Sequence, residues 1–448
     1  MSTLLKRSFS QLSVFNRTAI LTLTILALLF TSCDTEKLLE VDIPGRVSDD
    51  ALNDPKLAET LMLSVIADVE CAWNNYVAGA AHHSDEYMQT SGNSTMKRWG
   101  LRDIPPTFDN YAQASCGSWG YGLFTPFHTA RFQAENNYGL ISSFSDADVT
   151  DKTAFLAKIR AYGAWTLIAF SEGFCGTPLD GEDKILTPTE LAALAEQKFT
   201  EAIQLADQSG LDDIKNMALV GRARAQLTQE KYAGTIADAE LVPEGFLFLA
   251  TRDATPSSRQ NSHYRSVNGK EVDAASQKHA TIAPHYRGLE WKDVPDPRVN
   301  AYWDNTLGFD FSTPHWRHDK VNSYDTPIMM ASWREAQMFI AEAATMTGDL
   351  DRAIAILNDF HTRAAIPEVS SEDLPTQSDV IKHVIEERRR EFFVEGGHRL
   401  RDHLRWRGTE FKIPFLGEED SIHPNGVDQY GQAYEDYTCF PVPTIEGN

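Results

Sequence analysis

Apolar residues recur at helical spacing along most of the chain beyond residue 55, and the places where that rhythm fails set its organisation. Near the C-terminal end, Ile381, Val384, Ile385, Phe392 and Phe393 fall on one stripe, which predicts an amphipathic helix over 379–395. Gly396 and Gly397 end it, because glycine adopts the left-handed conformation of a helix C-terminus without a side-chain clash. A second short helix is expected over 399–405. Ile159 to Phe174 (IRAYGAWTLIAFSEGF) is apolar on nearly every side and predicts a helix buried all round. Thr187-Pro188-Thr189-Glu190 is an N-terminal helix signal that opens a further helix to about residue 208. Helices are also expected over 55–80 and 119–141.

Two segments show a finer regularity. Gly221 and Ala233 in 214–247, and Ala341 and Ala353 in 334–367, are twelve residues apart. That is the separation of the two small positions in a tetratricopeptide-like helix pair, where a small side chain lets helices touch. The second segment also has a Gly348-Asp349 turn and a closing Pro367. Between the two, residues 246–326 lose helical periodicity. They begin with a strand candidate, Phe246 to Ala250, and then scatter Tyr264, Tyr286, Trp291, Tyr302, Trp303, Trp316 and Tyr324 among Pro, Gly, Asn and His. Residues 88–111 form a shorter irregular stretch.

The first 32 residues follow a different logic. Lys6, Arg7 and Arg17 flank an apolar run, Ala19 to Phe30, that is too short to span a bilayer, and Thr31-Ser32-Cys33 follows. This reads as a lipoprotein signal over 1–32 with lipid on Cys33; a plain secretory signal is the other reading. Residues 33–54 then form a lipidated cysteine and polar tether. No Gly/Ser-rich or Pro-rich linker interrupts the rest, so 55–448 is expected to be a single domain.

Composition narrows the function. The formal charge is −23, and −26 without the three basic residues of the leader, which argues against nucleic acid and for a neutral or cationic ligand. Cys71, Cys116, Cys175 and Cys439 remain besides Cys33; they allow two disulfides in three connectivities, or buried free thiols.

Between the apolar positions of the C-terminal stripe sit Glu386, Glu387, Arg388, Arg389, Arg390, Glu391, Glu395, Arg399, Arg401 and Asp402. Because they abut two Phe and Trp406, some must lie between packed helices, where each charge needs a partner. Glu387 to Glu391, followed by Glu395, Gly396, His398, Arg399, Asp402 and Trp406, resembles the C-terminal signature of the SusD/RagB family. Gly397 is one glycine more than that pattern carries. The likeness extends to Trp333, Glu335, Ala341, Glu342, Ala343, Leu357, Asn358, Arg363, Ala364 and Pro367, to Asp296-Pro297-Arg298, and to Val41-Asp42-Ile43-Pro44 behind the leader.

This resemblance implies a mostly α, SusD-like fold with tetratricopeptide-like helix pairs in a body over about 55–245 and 327–407. A loop-rich aromatic insert over 246–326 would carry the ligand face, and a tail would run over 408–448. It also implies an outer-membrane lipoprotein facing the cell exterior that binds an oligosaccharide or other nutrient oligomer. Such a protein would deliver that oligomer to a TonB-dependent SusC-like transporter, with no catalytic residue, cofactor or metal.

Loop aromatics suit sugar binding, since the C–H faces of sugar rings stack on aromatic rings while hydroxyls need polar neighbours. Trp99 lies beside Lys97, Arg98 and Arg102; Trp291 and Trp316 lie among Arg287, Lys292, His315, Arg317 and His318. The ligand-binding candidates are therefore Trp99, Tyr286, Arg287, Trp291 and Trp316, whereas Trp119, Trp165 and Trp333 sit on helical faces and are expected in the core. His82-His83 with Asp85 and Glu86, and His315 with His318, contain metal-ligand types but lack a third converging group. Ser94-Thr95-Met96-Lys97 matches the S-x-x-K of acyl-serine enzymes without the later motifs that accompany it. A secreted hydrolase built on a carboxylate pair and a helical-repeat scaffold without ligand are the rival readings.

Overall fold

The computed structural model describes residues 52–117, 120–269 and 278–444, so the leader, Cys33, most of the tether and Trp119 lie outside the described residues. The helices are α1 (Ala58–His83), α2 (Ser94–Gly100), α3 (Asp109–Gln113), α4 (Phe124–Ser143), α5 (Lys152–Gly173) and α6 (Pro188–Ser209). They continue as α7 (Asp212–Thr228), α8 (Tyr232–Ala239), α9 (Trp333–Thr347), α10 (Leu350–Ala364), α11 (Gln377–Glu391) and α12 (His398–Trp406). The fold is mostly α, and α1 packs on α4 and α5, after which α5 to α11 pack largely on sequence neighbours.

The local reasons are those read from the sequence. Along α5, the residues from Ile159 to Gly173 are all buried, as an all-round apolar helix requires. Thr187 and Glu190 close a capping box at the start of α6. Gly348 ends α9 in the left-handed conformation, and Ala341 and Ala353 are fully buried where α9 meets α10. Gly221 of α7 lies against the Phe199 ring of α6, so close that a Cβ there would fall inside 3.0 Å of it. Boundaries move: α1 runs over 58–83 rather than 55–80, α4 starts at Phe124 rather than at 119, and α11 ends at Glu391 rather than at 395, so that Gly397 precedes α12 instead of ending α11. Trp165 is buried, but Trp333 is only half-buried, with the Arg363 guanidinium 4.7 Å from its ring.

The charged run of α11 and α12 is the ionic core of the protein. Arg388 is fully buried and holds Asp402 of α12 through two bonds of 2.9 Å. Glu387 takes Arg298 at 2.6 Å, Arg390 takes Asp296 at 3.0 Å, and Arg399 grips Asp85 with two bonds of 2.6 Å. Arg224 of α7 sits between Glu172 of α5 and Glu335 of α9 with no exposed surface. A charge removed from water at this depth survives only against a partner, and each of these has one on another segment.

The strands form five two-stranded antiparallel ribbons among the described residues. β1 (Tyr87–Gln89) pairs with β5 (Ala280–Ile282), β2 (Thr177–Pro178) with β3 (Ile185–Leu186), and β4 (Leu247–Ala250) with β10 (Ile328–Ser332). β6 (Glu290–Trp291) pairs with β7 (Val294–Pro295), and β8 (Tyr302–Leu307) with β9 (Pro314–Arg317). The β4–β10 ribbon closes the base of the insert: Phe246 accepts a backbone bond from Trp333, so the loop-rich segment leaves and re-enters the helical body at one point. Two disulfides, Cys71–Cys116 and Cys175–Cys439, resolve the open cysteine connectivity. The second ties the tail to the end of α5, where the Phe440 amide donates to Gly173 and the Cys175 amide to Phe440.

Candidate ligand-binding face

The β8–β9 hairpin has two chemically different sides because successive strand residues point oppositely. His315 and Arg317 are buried. Asp304 holds His315 Nδ1 at 2.8 Å, and His315 Nε2 donates to the Val267 carbonyl at 2.8 Å. Burial works against ionisation of Asp304, yet its bonds from His315 and Thr306 hold its pKa down at about 2. This anchored side fixes the hairpin to the core.

The opposite side carries Trp303 and Trp316, which are direct cross-strand partners. Trp303 is 49% exposed, and Trp316 is half-buried against the core cluster that contains Tyr87 and Tyr286. The Arg287 guanidinium lies 4.7 Å from the Trp316 ring, and its Nε donates to the Ile282 carbonyl at 2.9 Å. Burial lowers its pKa to about 10, which still leaves it charged at neutral pH. Beyond a bulge at Asn305, Leu307 is exposed and Phe311 at the hairpin tip is 70% exposed. Tyr430 from the tail leans on that tip and donates to Asp310 at 2.9 Å. The face thus offers apolar rings of the size of a sugar, flanked by a fixed cation, carboxylates and amides.

Beside it, a groove of about 390 Å³ is lined by Asp85, His285, Lys382, Arg389, Lys412 and Asp420. His285 lies two residues before Arg287 in the chain, so the groove and the Arg287–Trp316 pair share one turn, Pro284–Tyr286.

Of the five sequence candidates, Trp316 and Arg287 come together, and three do not join them. Trp99 has no exposed surface: its ring centroid is 5.4 Å from that of Tyr121 and 5.8 Å from that of Phe440, and a Cβ added at Gly79 would lie 3.0 Å from the ring. The basic residues that suggested a binding loop point elsewhere, Arg98 to Asp103 and Arg102 to the Leu416 carbonyl. Tyr286 is also fully buried, 4.8 Å from Phe393 on one side and from the Arg389 guanidinium on another. Trp291 is half-buried and faces two imidazoles, His383 at 4.8 Å and His361 at 5.7 Å. Trp99 and Tyr286 leave no face for a sugar, and Trp291 stands apart from the Arg287–Trp316 pair against the two imidazoles.

Trp303, which is not among the five candidates, is the most exposed tryptophan of the insert. Strand alternation through 302–307 and 314–317 around a turn at 310–313 was the signal that places it across from Trp316. The paired histidines read from the sequence do not converge either. His82 packs 5.4 Å from Tyr87 and from Tyr121, His83 lies 4.9 Å from Phe440, and burial pushes the His83 pKa down to about 3. His318 Nε2 is spent on the Tyr87 hydroxyl at 3.0 Å.

Comparison with known proteins bears on this architecture. Residues 335–438 match the SusD family profile. No curated protein sequence matches the chain. A SusD superfamily protein from Bacteroides vulgatus ATCC 8482 superposes with a TM-score of 0.64 at 16% identity, over 88% of this chain and 96% of that one. A structure described as a laminarin binding SusD-like protein gives 0.60 at 16% identity, over 87% and 97%. Surface glycan-binding protein A from Bacteroides uniformis gives 0.60 at 15% identity, over the same shares. Similarity at this identity speaks to the fold, while the profile match covers the signature helices α11 and α12 with α9 and α10 before them. The matched segment holds the buried Arg388–Asp402 and Glu387–Arg298 pairs, so residues 335–438 match the C-terminal region of the SusD family on a SusD-like fold.

Proposed function

We propose that the protein is a cell-surface lipoprotein that binds a glycan or similar nutrient oligomer and passes it to a TonB-dependent SusC-like transporter. The observation that carries the ligand half is the exposed Trp303 across the strand pair from the half-buried Trp316, with Arg287 held against Trp316. An exposed Trp on a strand gains nothing for folding, whereas stacked against a sugar ring it removes apolar surface from water. Two structures with this fold are described as laminarin binding and as surface glycan-binding, which makes laminarin the first probe.

The anchoring half rests on the leader and Cys33, and on the absence, among the described residues, of any helix long and apolar enough to cross a membrane. The tether of residues 34–48 spans about 50 Å when extended at ~3.3 Å per residue, enough for the body to swing while anchored.

The test is calorimetric titration of the purified chain with a panel of polysaccharides and peptides, with chromatography of the products. Saturable binding without products is expected, and Trp303→Ala should weaken it. Turnover would favour a hydrolase, and neither binding nor turnover a scaffold. Crosslinking and mild extraction from the host should recover a large β-barrel protein. Cys33→Ala should release the chain from membranes.

A further inference from the structure

His361, His383 and Glu387 form a second cluster, remote in sequence from the aromatic hairpin. His361 stands in the last turn of α10, and His383 and Glu387 are four residues apart on one face of α11. All three are buried. Their ligand atoms converge: His361 Nε2 is 3.4 Å from His383 Nε2 and 3.2 Å from Glu387 Oε1, and His383 Nε2 is 3.7 Å from the same oxygen. A tetrahedral cation bonded at about 2.0–2.1 Å holds neighbouring donor atoms roughly 3.3–3.4 Å apart. The three atoms therefore already outline one face of such a tetrahedron.

Proton accounting points the same way. His361 Nδ1 is 2.6 Å from the Pro367 carbonyl, which can only accept, so the proton of the neutral ring sits there and Nε2 is a bare lone pair. His383 Nε2 has one proton at most, and it faces two acceptors, His361 Nε2 and Glu387 Oε1.

The surroundings are those of a built site. The Pro367 carbonyl sets the His361 tautomer as outer-shell acceptors do for metal-bound histidines. Arg298 donates to Glu387 Oε2 at 2.6 Å and to Oε1 at 3.3 Å, which orients the carboxylate and leaves Oε1 turned toward the imidazoles. The Arg298 charge is itself matched by Asp296 at 2.6 Å. Trp291 covers the two rings.

We propose that His361, His383 and Glu387 bind a zinc-class divalent cation, through two Nε2 atoms and one carboxylate oxygen, with a fourth position for water or another donor. Two nitrogens select such an ion over calcium or magnesium, which prefer oxygen-only sets. The bound ion fastens α10 to the signature helix α11 beneath the Trp291 hairpin.

The test uses the full chain, stripped with chelator and titrated with zinc chloride by calorimetry, and with Co²⁺ by visible absorption. One equivalent should bind, Co²⁺ should show the intense bands of tetrahedral coordination, and zinc should raise the melting temperature. His361→Gln and His383→Gln should each weaken binding by more than ~100-fold, beyond the loss of an outer-shell partner. They should also abolish the zinc-dependent melting shift. Absence of saturable zinc binding in the parent, calcium binding in preference to zinc, or one-equivalent binding that persists in the double variant would each overturn the site. Should the variants not fold, the Co²⁺ spectrum of the parent decides: weak octahedral bands reject the assignment.

Discussion

Replacing Arg224 by Met is the sharpest probe of the ionic core. The guanidinium has no exposed surface; Nε lies 2.9 Å from both Glu172 oxygens, Nη1 3.1 Å from Glu335, and Nη2 2.7 Å from the Gly396 carbonyl. Met fills a similar apolar volume, so the loss is electrostatic rather than a cavity. Two buried carboxylates are left, of which Glu172 keeps Arg401 at 2.9 Å while Glu335 keeps only His398 at 2.7 Å and its cap contacts with Ser332. Removing one partner of a buried pair costs about 3–5 kcal/mol, and here ~4 is expected. For a chain of this length that is a fall in melting temperature of roughly 5–10 °C.

The cost should depend on pH in a defined direction. Burial raises the Glu335 pKa to about 7 against the opposing charge of Arg224. A carboxyl whose folded pKa exceeds its unfolded value binds protons more readily when folded, so it adds stability as pH falls from about 7 toward 4.5. Without Arg224 the folded pKa rises further, and a protonated Glu335 needs no counter-charge. Arg224→Met should therefore cost more at pH 8 than at pH 6, and Glu335→Gln added to it should recover part of the loss. Denaturant unfolding at the two pH values reads this out. A variant within ~1 kcal/mol of the parent at pH 8, or one hurt more at pH 6, would refute the reasoning.

Trp303→Ala and Trp316→Ala should each weaken binding of the best glycan by about 30- to 100-fold with unchanged circular dichroism, whereas equal affinity in both would move the site elsewhere. Gly221→Ala should destabilise by ~1–3 kcal/mol, because the added methyl meets the buried Phe199 ring, and Gly221→Ala with Phe199→Leu should recover much of it in denaturant melts. Removing the Cys175–Cys439 bond by double serine substitution should cost ~2–5 kcal/mol and make the tail a target of limited proteolysis; a resistant tail would mean that Phe440 packing alone holds it.

Much of the helical body was legible in the sequence. Helix periodicity, the Thr187–Glu190 cap, the glycine at 348 and the twelve-residue spacing of Ala341 and Ala353 are local signals, and local backbone chemistry honours them wherever the chain goes. The dense charges of α11 also announced themselves, since a run of that kind against Phe and Trp has to be paired. What the sequence could not assign was the side on which each aromatic would finish. Trp99 and Trp303 both stand among polar neighbours, yet one is sealed beneath Tyr121 and Phe440 and the other is half open to water. Burial of a loop side chain depends on which distant segments pack over it, here the C-terminal tail above Trp99, and no short-range pattern encodes that. The same holds for His361, His383 and Trp291: they come from α10, α11 and the insert, and only the packing of the signature helix against its neighbours brings their rings within 6 Å of one another.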